Sequence, residues 1–564
     1  MTPFKIIRRF CRLCALFFIF PASIFSLSFF DSGSPEELAA ALEQAMSDDQ
    51  ALAQTFMLGW VGAEPSPLIM EWIVRRNVGG VKIFGWNTDD TQRLARTVGT
   101  LQQASLATQY NIPLLMATDQ EGGWIRHVKG STSETPGNMA IGASGYPRDA
   151  YLSGYYIGKE LAVLGINMNF APTVDLFTNR DSMLIGPRAF GSDPVKAGIL
   201  GAAFMKGQLD VGVIPTAKHF PGHGDTDLDS HGVLPIIDLT FNDLWDRELI
   251  PYRMLSNEGI PAIMSGHLAF PKTGAKSYPA SMSSWFLKNV LREIIGFKGV
   301  IITDDLMMNG ATLWAGSISR AVKLALEAGN DIIMLSQTPS LFDPVWTTMT
   351  DSMRVDAEFR NCVRAAARRV LEMKLRYLRG DGAVPFIPDL QRVEDELPDP
   401  DGNVFFLNLA ARSVTVVSNQ AQPGGQQGTA ETVYTLPLKP ESAGRVLLTG
   451  QFGDFFRAGG AAFPGAASMR FTNSTTTADF LQYARNADTI IFCLSDASGL
   501  RLLRTLQSLG KRVIVLSVLS PVYIESARWV SAAVAVYSYA PESFAAGFSA
   551  ITGRIDARGK LPYE

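Results

Sequence analysis

The sequence predicts a (β/α)8 barrel followed by a smaller α/β domain, and three observations predict it. Eight short, β-rich apolar runs lie between residues 55 and 336, most are followed by segments with helical periodicity, and several end in an ionisable side chain. Parallel strands need helical crossovers, so this alternation selects a parallel sheet. A doubly wound open sheet is the structural alternative.

Taken in chain order, residues 1–28 come first. Lys5, Arg8, Arg9 and Arg12 stand there without an acid, followed by an apolar run from Leu13 to Phe20 and by Ser26-Leu27-Ser28. That is the layout of a secretory signal peptide. The run is interrupted by Pro21 and falls short of the roughly 20 residues of a membrane span. Removal of the segment and export to the periplasm or the medium are therefore expected, with membrane anchoring as the alternative if it is retained. Cys11 and Cys14 have no small-residue motif before them and do not read as lipid-attachment sites.

The barrel is expected over residues 36–380. Its strand-like runs are Thr55–Gly62, Val78–Gly85, Ile112–Asp119, Ile166–Asp175, Val213–His219, Ala262–Ala269, Gly299–Asp305 and Asp331–Ser336. Helical periodicity fills Asp90–Tyr110, Asp149–Leu164 and Pro194–Val211, and the basic amphipathic stretch Phe359–Leu378 closes the region. Residues 381–402, with Pro385, Pro388, Pro398 and Pro400 among several acids, read as a linker. From residue 403 to 564, strand-like runs at Ser413–Val417, Val446–Thr449, Thr489–Leu494, Val513–Ser517 and Val534–Ser538 alternate with helical stretches, the pattern of a second α/β domain. The Gly- and Gln-rich stretch Ala421–Ala430 reads as a mobile loop.

Composition narrows the function. Hydrophobic residues make up 47% and charged residues 18%, which supplies well-packed cores, and the net charge is -4 with no basic cluster beyond the N-terminus. Nucleic acid is excluded as a partner and a neutral polar substrate fits. Cys362 and Cys493 fall on helix-like and strand-like patterns without companions at ligand spacing, so two free thiols are expected rather than a disulfide.

Four strand ends carry ionisable groups, namely Asp119, Asp175, the pair Lys218-His219 and the pair Asp304-Asp305, and the sixth run carries His267. An apolar strand that ends in a buried charge is costly unless the charge is paired or used. Three of the five histidines fall within Lys218–His231 (KHFPGHGDTDLDSH), whose Pro and Gly residues exclude a helix. In an extended loop Asp229 and His231 project to the same side, so the carboxylate can hold an imidazole that gives and takes protons near neutrality. His219, His223, Asp229 and His231 are also potential metal ligands, but Pro221 and Gly222 deny the HxxxH pair the helix it needs, and no metal is expected. Asp304 ends an apolar strand, where a carboxylate can attack an anomeric carbon. Asp305 reads as a cap for the next helix.

The segment KHFPGHGDTDLDSH, with ATDQEGG at Ala117–Gly123, IGPRAFG at Ile185–Gly191 and IITDDLMM at Ile301–Met308, resembles glycoside hydrolase family 3. More narrowly it is similar to the β-N-acetylglucosaminidase branch, in which an Asp-x-His pair replaces a carboxylic acid as acid/base. The resemblance covers roughly residues 45–380, and the C-terminal part is similar in pattern only. It implies Asp304 as nucleophile, His231 as general acid/base and Asp229 as its orienting partner. Asp119, Lys218, His219 and Arg188 match residues that bind sugar hydroxyls. Eight residues beyond Asp119 the family usually has an arginine, whereas here His127 stands with Arg126 beside it, so either residue is a candidate for that contact. The implied activity is exo-acting, retaining hydrolysis of terminal N-acetylglucosamine from cell-wall fragments or chito-oligosaccharides, with no cofactor. A neutral histidine does not repel an anionic acceptor, so the resemblance also admits phosphorolysis as a secondary reaction. The alternatives are a family 3 β-glucosidase or β-xylosidase, an inert glycan-binding protein and a metal-dependent hydrolase. The intact Asp229-Ser230-His231 weighs against the first, and the presence of both Asp304 and His231 weighs against the second.

Overall fold

The structure, a computed structural model, describes residues 27–226, 228, 232–421 and 434–563. Apart from Leu27 and Ser28 the expected signal peptide lies outside the described residues, and so do Asp229, His231 and residues 422–430 of the expected loop.

Among the described residues ten strands precede residue 340: β1 (Phe56–Gly59), β2 (Gly80–Ile83), β3 (Leu115–Thr118), β4 (Gln120–Gly122), β5 (Ile125–Arg126), β6 (Met168–Asn169), β7 (Ile214–Phe220), β8 (Ala262–Ser265), β9 (Val300–Thr303) and β10 (Ile333–Leu335). β4 and β5 form a small antiparallel hairpin. The other eight pair in parallel in the order β10-β1-β2-β3-β6-β7-β8-β9. Ile302 bridges Ile332, where the Thr303 N–H donates to the Ile332 carbonyl at 3.0 Å, and this contact closes the ring. All eight expected barrel strands are present, each shorter than its apolar run except β7, which is as long as its run and shifted by one residue.

The barrel strands are mostly apolar because both of their faces are covered, and their polar residues cluster toward the C-terminal ends. Met57, Leu115, Met168, Ile214, Ala262, Val300 and Met334 belong to one buried cluster, capped by Leu38 and Leu42 of the helix Pro35–Ala45 and by Val370 and Leu371 of the helix Ala357–Tyr377. Alternate strand residues, such as Phe56, Leu58, Val81 and Met116, pack outward against the surrounding helices. Those helices start where the sequence signals them. Asp90 caps Thr91–Leu106, and Asp193 caps Pro194–Leu209, whose first residue is proline.

Residues 381–402 are not a bare linker. Leu390–Glu396 is helical, the helix Pro400–Ser413 begins within the segment, and both ends are tied to the barrel. The Gln92 side-chain amide donates to the Leu390 carbonyl at 2.8 Å, Lys159 pairs with Asp399 at 2.5 Å, and the Asp399 N–H donates to Glu160 at 2.9 Å. Proline and acids suggested an extended spacer, yet Asp389 and Asp399 serve as N-caps and Pro400 starts a helix, roles for which those residue types are equally suited.

The second domain is a six-stranded sheet of β11 (Thr415–Asn419), β12 (Val446–Gly450), β13 (Ala467–Arg470), β14 (Thr489–Leu494), β15 (Arg512–Ser517) and β16 (Ala532–Ala535), in the order β11-β16-β15-β14-β12-β13. All pairs are parallel except β11 with β16. β13 has no counterpart in the sequence reading, since this edge strand carries a short polar sequence and buries little. The domain packs on loops at the C-terminal face of the barrel. Ala535, Tyr537 and Tyr563 join Met139, Phe177 and Ile185 in one buried cluster, and the Lys560 N–H donates to the Ala143 carbonyl at 3.0 Å.

Candidate active site

The C-terminal ends of β2, β3, β6, β7, β8 and β9 converge on a charged cluster. Asp119, just beyond β3, receives Lys218 of β7 on one carboxylate oxygen at 2.5 Å and Lys82 of β2 on the other at 2.7 Å. Lys218 also reaches Glu121 of β4 at 2.6 Å, and Glu121 accepts two hydrogen bonds from Arg188, at 2.9 and 2.7 Å. Burial by itself raises the pKa of both carboxyls, but the neighbouring cations outweigh it. Lys218 and Lys82 hold Asp119 well below the usual carboxylate range, while Arg188 and Lys218 bring Glu121 to about 2.

His219 is oriented by a second buried carboxylate. Its Nδ1 lies 2.6 Å from Asp175, which also accepts the backbone N–H groups of His219 and His223. Asp175 is brought to about 2, the proximity of His219 overcoming the effect of burial. The free side of the His219 ring faces Arg188, 3.4 Å away. The glycines of this loop have structural reasons. A Cβ on Gly224 would stand 1.7 Å from the Leu176 carbonyl oxygen, and Gly222 has φ +134 and lies directly against Glu248.

Asp304 follows β9 and is differently placed. Its N–H donates to the Ser265 carbonyl at 3.0 Å and its Oδ1 accepts the Asp305 N–H at 2.8 Å, and among the described residues its carboxylate enters no ion pair. Burial acts to raise its pKa, yet His219 and His267 outweigh it, so the group is ionised at neutral pH. An ionised carboxylate with no cation bound to it keeps its nucleophilicity. Asp305 does not cap a helix. It accepts the N–H groups of Met307 and Ser336, fixing the turn after β9 to the end of β10, while Met308 occupies the N-cap of the next helix.

Of the residues singled out in the sequence, Asp119, Lys218, His219, Arg188 and His127 meet in this cluster, with Asp304 beside it. His127 stands 3.1 Å from Lys82 and 3.7 Å from Asp119, and burial together with Lys82 lowers its pKa to about 4. Arg126 does not join them. It donates to the carbonyls of Thr132 and Ser133 and pairs with Glu134 at 2.9 Å, because neighbouring residues of β5 and its exit point to opposite sides. Asp229 and His231 lie outside the described residues, although the strand and loop that lead to them, Ile214–Thr226, leave the same rim. Lys82, Glu121 and Asp175 as His219's partner are additions from the structure. Lys82 was legible as a lone cation in the otherwise apolar run Val78–Gly85, and Glu121 as the second acid of ATDQEGG. Among the described residues no group of three His, Cys, Asp or Glu side chains is placed to hold a metal.

Since Asp119, Glu121 and Asp175 are depressed below their unfolded values near 4, the stability they confer is present above about pH 4 and is lost on acidification, for Glu121 and Asp175 as pH falls through about 2. Because the unfolded chain takes up the His127 proton before the folded one does, the urea midpoint is expected to fall between about pH 6.5 and 4, and the carboxylates add a further loss between pH 4 and 2. A midpoint that did not fall between pH 4 and 2 would contradict the carboxylate assignments.

Charged donors and acceptors fixed around a rim, with the Asp304 carboxylate in no ion pair among the described residues, define a barrel enzyme for a polyhydroxylated substrate. Residues 49–373 match the model of the glycosyl hydrolase family 3 N-terminal domain, and the chain belongs to glycoside hydrolase family 3. It is 35% identical over 274 residues to a β-hexosaminidase of Thiobacillus denitrificans, covering 48% of this chain and 74% of that one. A solved family 3 β-N-acetylglucosaminidase from Paenibacillus sp. str. FPU-7 superimposes with a TM-score of 0.79 at 26% identity, covering 92% of this chain and 99% of the other. A fungal multi-domain family 3 β-N-acetylglucosaminidase gives 0.83 at 28% identity, and there the match spans 92% of this chain but 60% of the fungal one.

Proposed function

We propose that the chain is an exo-acting, retaining β-N-acetylglucosaminidase that releases terminal N-acetylglucosamine from cell-wall fragments or chito-oligosaccharides. The observation that carries this reading is Asp304, ionised and without an ion-pair partner among the described residues, two strands along from the β7 loop that runs into Asp229-Ser230-His231. In this scheme an Asp304 oxygen attacks C1 as the C1–O bond to the leaving sugar breaks, and His231, oriented by Asp229, gives that oxygen its proton. His231 then takes a proton from water, which attacks C1 and frees Asp304. Asp119, Lys218, His219, Arg188 and His127 hold the hydroxyls of the terminal sugar, and no cofactor enters. The names of the two β-N-acetylglucosaminidase structures and of the β-hexosaminidase relative support the choice of sugar.

The basic and apolar N-terminal segment supports action outside the cytoplasm, in the periplasm or secreted, and hence a part in peptidoglycan turnover. No helix among the described residues is long and apolar enough to cross a membrane. Hydrolysis of an aryl β-N-acetylglucosaminide beside the aryl β-glucoside tests the reading. The N-acetyl substrate is expected to be preferred by about a hundredfold or more in kcat/KM, and equal rates or preference for the glucoside would overturn it.

A further inference from the structure

The ends of β1 and β2 hold an aromatic ridge that leads out of the charged cluster. Trp86, in the turn Gly85–Asn87 after β2, is 51% exposed, yet it is fixed. Its Nε1 donates to the Trp60 carbonyl at 2.8 Å, and its ring stacks on Phe84 with centroids 4.4 Å apart and planes 10° from parallel. Asn87 locks the turn, donating to the carbonyls of Trp60 and Gly62 while its Oδ1 accepts the Phe84 N–H at 2.8 Å. Phe84 in turn lies 5.7 Å from the His127 ring, and Lys82 sits 4.4 Å from its centroid. Lys82 and His127 both border Asp119, so a continuous ridge runs from Asp119 through Lys82 and His127 to Phe84 and then to Trp86 at the solvent.

Leaving a large aromatic in water costs solvation, and holding it still there costs side-chain entropy as well. Phe84 occupies one face of the indole, which leaves the other as a flat apolar surface one residue removed from the cluster assigned to the terminal sugar. A pyranose presents C–H groups on its own face and hydroxyls at its edge, the complement of such a surface. We propose that Trp86 is a platform for the sugar next to the scissile bond, so that the leaving saccharide of the same glycan stacks on its open face. This assignment rests on the function proposed above and makes the enzyme prefer oligosaccharides over glycosides with a small leaving group.

The test compares Trp86→Ala and Trp86→Phe with the unaltered protein on a β-linked N-acetylglucosamine trisaccharide and on methyl β-N-acetylglucosaminide, whose leaving group is too small to reach the indole. Trp86→Ala is expected to lower kcat/KM on the trisaccharide by about tenfold, mainly through KM, and to leave the methyl glycoside unchanged, while Trp86→Phe keeps most of the trisaccharide activity. Equal losses on both substrates, or no loss on the trisaccharide, overturn the platform while leaving the glycosidase reading intact. Unaltered protein that cleaves neither N-acetylglucosaminide overturns that reading and the platform with it.

Discussion

Asp304→Asn is expected to lower kcat for an aryl β-N-acetylglucosaminide by roughly four orders of magnitude while leaving KM within a few-fold of its starting value. The substitution keeps the shape of the side chain and the oxygen that accepts the Asp305 N–H, so the turn after β9 should stand. It removes only the negative charge that would form the bond to C1, a contribution made in the transition state and not in substrate binding. His219 and His267 outweigh burial and favour the charge of Asp304 in the folded protein, so the variant should melt slightly below the unaltered chain but remain folded. Rates and thermal melts on the same preparation decide the matter. A stable variant with near-normal kcat would remove Asp304 from the role of nucleophile.

Lys218→Met should act on the fold as much as on the chemistry. Lys218 lies between Asp119 and Glu121 and is buried, as is Glu121. Burial lowers a lysine's pKa, but these two carboxylates more than reverse that, and Lys218 stays charged. Without it Asp119 keeps Lys82 and Glu121 keeps Arg188, but two carboxylates face one another across an apolar side chain. Breaking a buried charge network on one side typically costs about 3–5 kcal/mol, and urea unfolding at pH 7 is expected to show a loss of that size. The deficit should shrink toward pH 4, where the stranded carboxyls take up protons. An unchanged urea midpoint would show that the cluster is not a stabilising unit.

The barrel was legible because both of its periodicities are strong. Runs such as Gly299–Asp305 are apolar until their C-terminal ends, as strands covered on both faces must be, and caps such as Asp193-Pro194 mark the helix starts. The second domain was legible to the same degree where strands are central, as in β14 and β15, and not at its edge, where β13 exposes most of its side chains. The strap at 381–402 was misread because Asp-Pro and proline-rich acidic sequence signals either a spacer or a helix start, and only the contacts of Asp399 with Lys159 and Glu160 decide between them.

In the site, single charges at strand ends were visible, but their pairing was not. Glu121 and Asp119 lie on one segment, whereas Lys82, Lys218 and Arg188 come from three others, and nothing local in the sequence states that a single lysine will serve both acids. The choice between Arg126 and His127 likewise turned on the direction of the β4–β5 hairpin. Once Asp119 accepts the backbone bond from the His127 N–H at 2.9 Å, the imidazole faces the cluster and Arg126 faces the loop at Thr132.

The central claim is that Asp304 forms a covalent bond to the sugar, and trapping that bond tests it most directly. The protein is mixed with 5-fluoro-N-acetylglucosaminyl fluoride, whose second fluorine slows release, then quenched in acid, digested and sequenced by mass spectrometry. The account predicts one added fluorosugar on the peptide spanning residues 299–308, localised to Asp304 and absent from Asp304→Asn. Turnover of the reagent with no adduct, or an adduct on any other carboxylate, would contradict it.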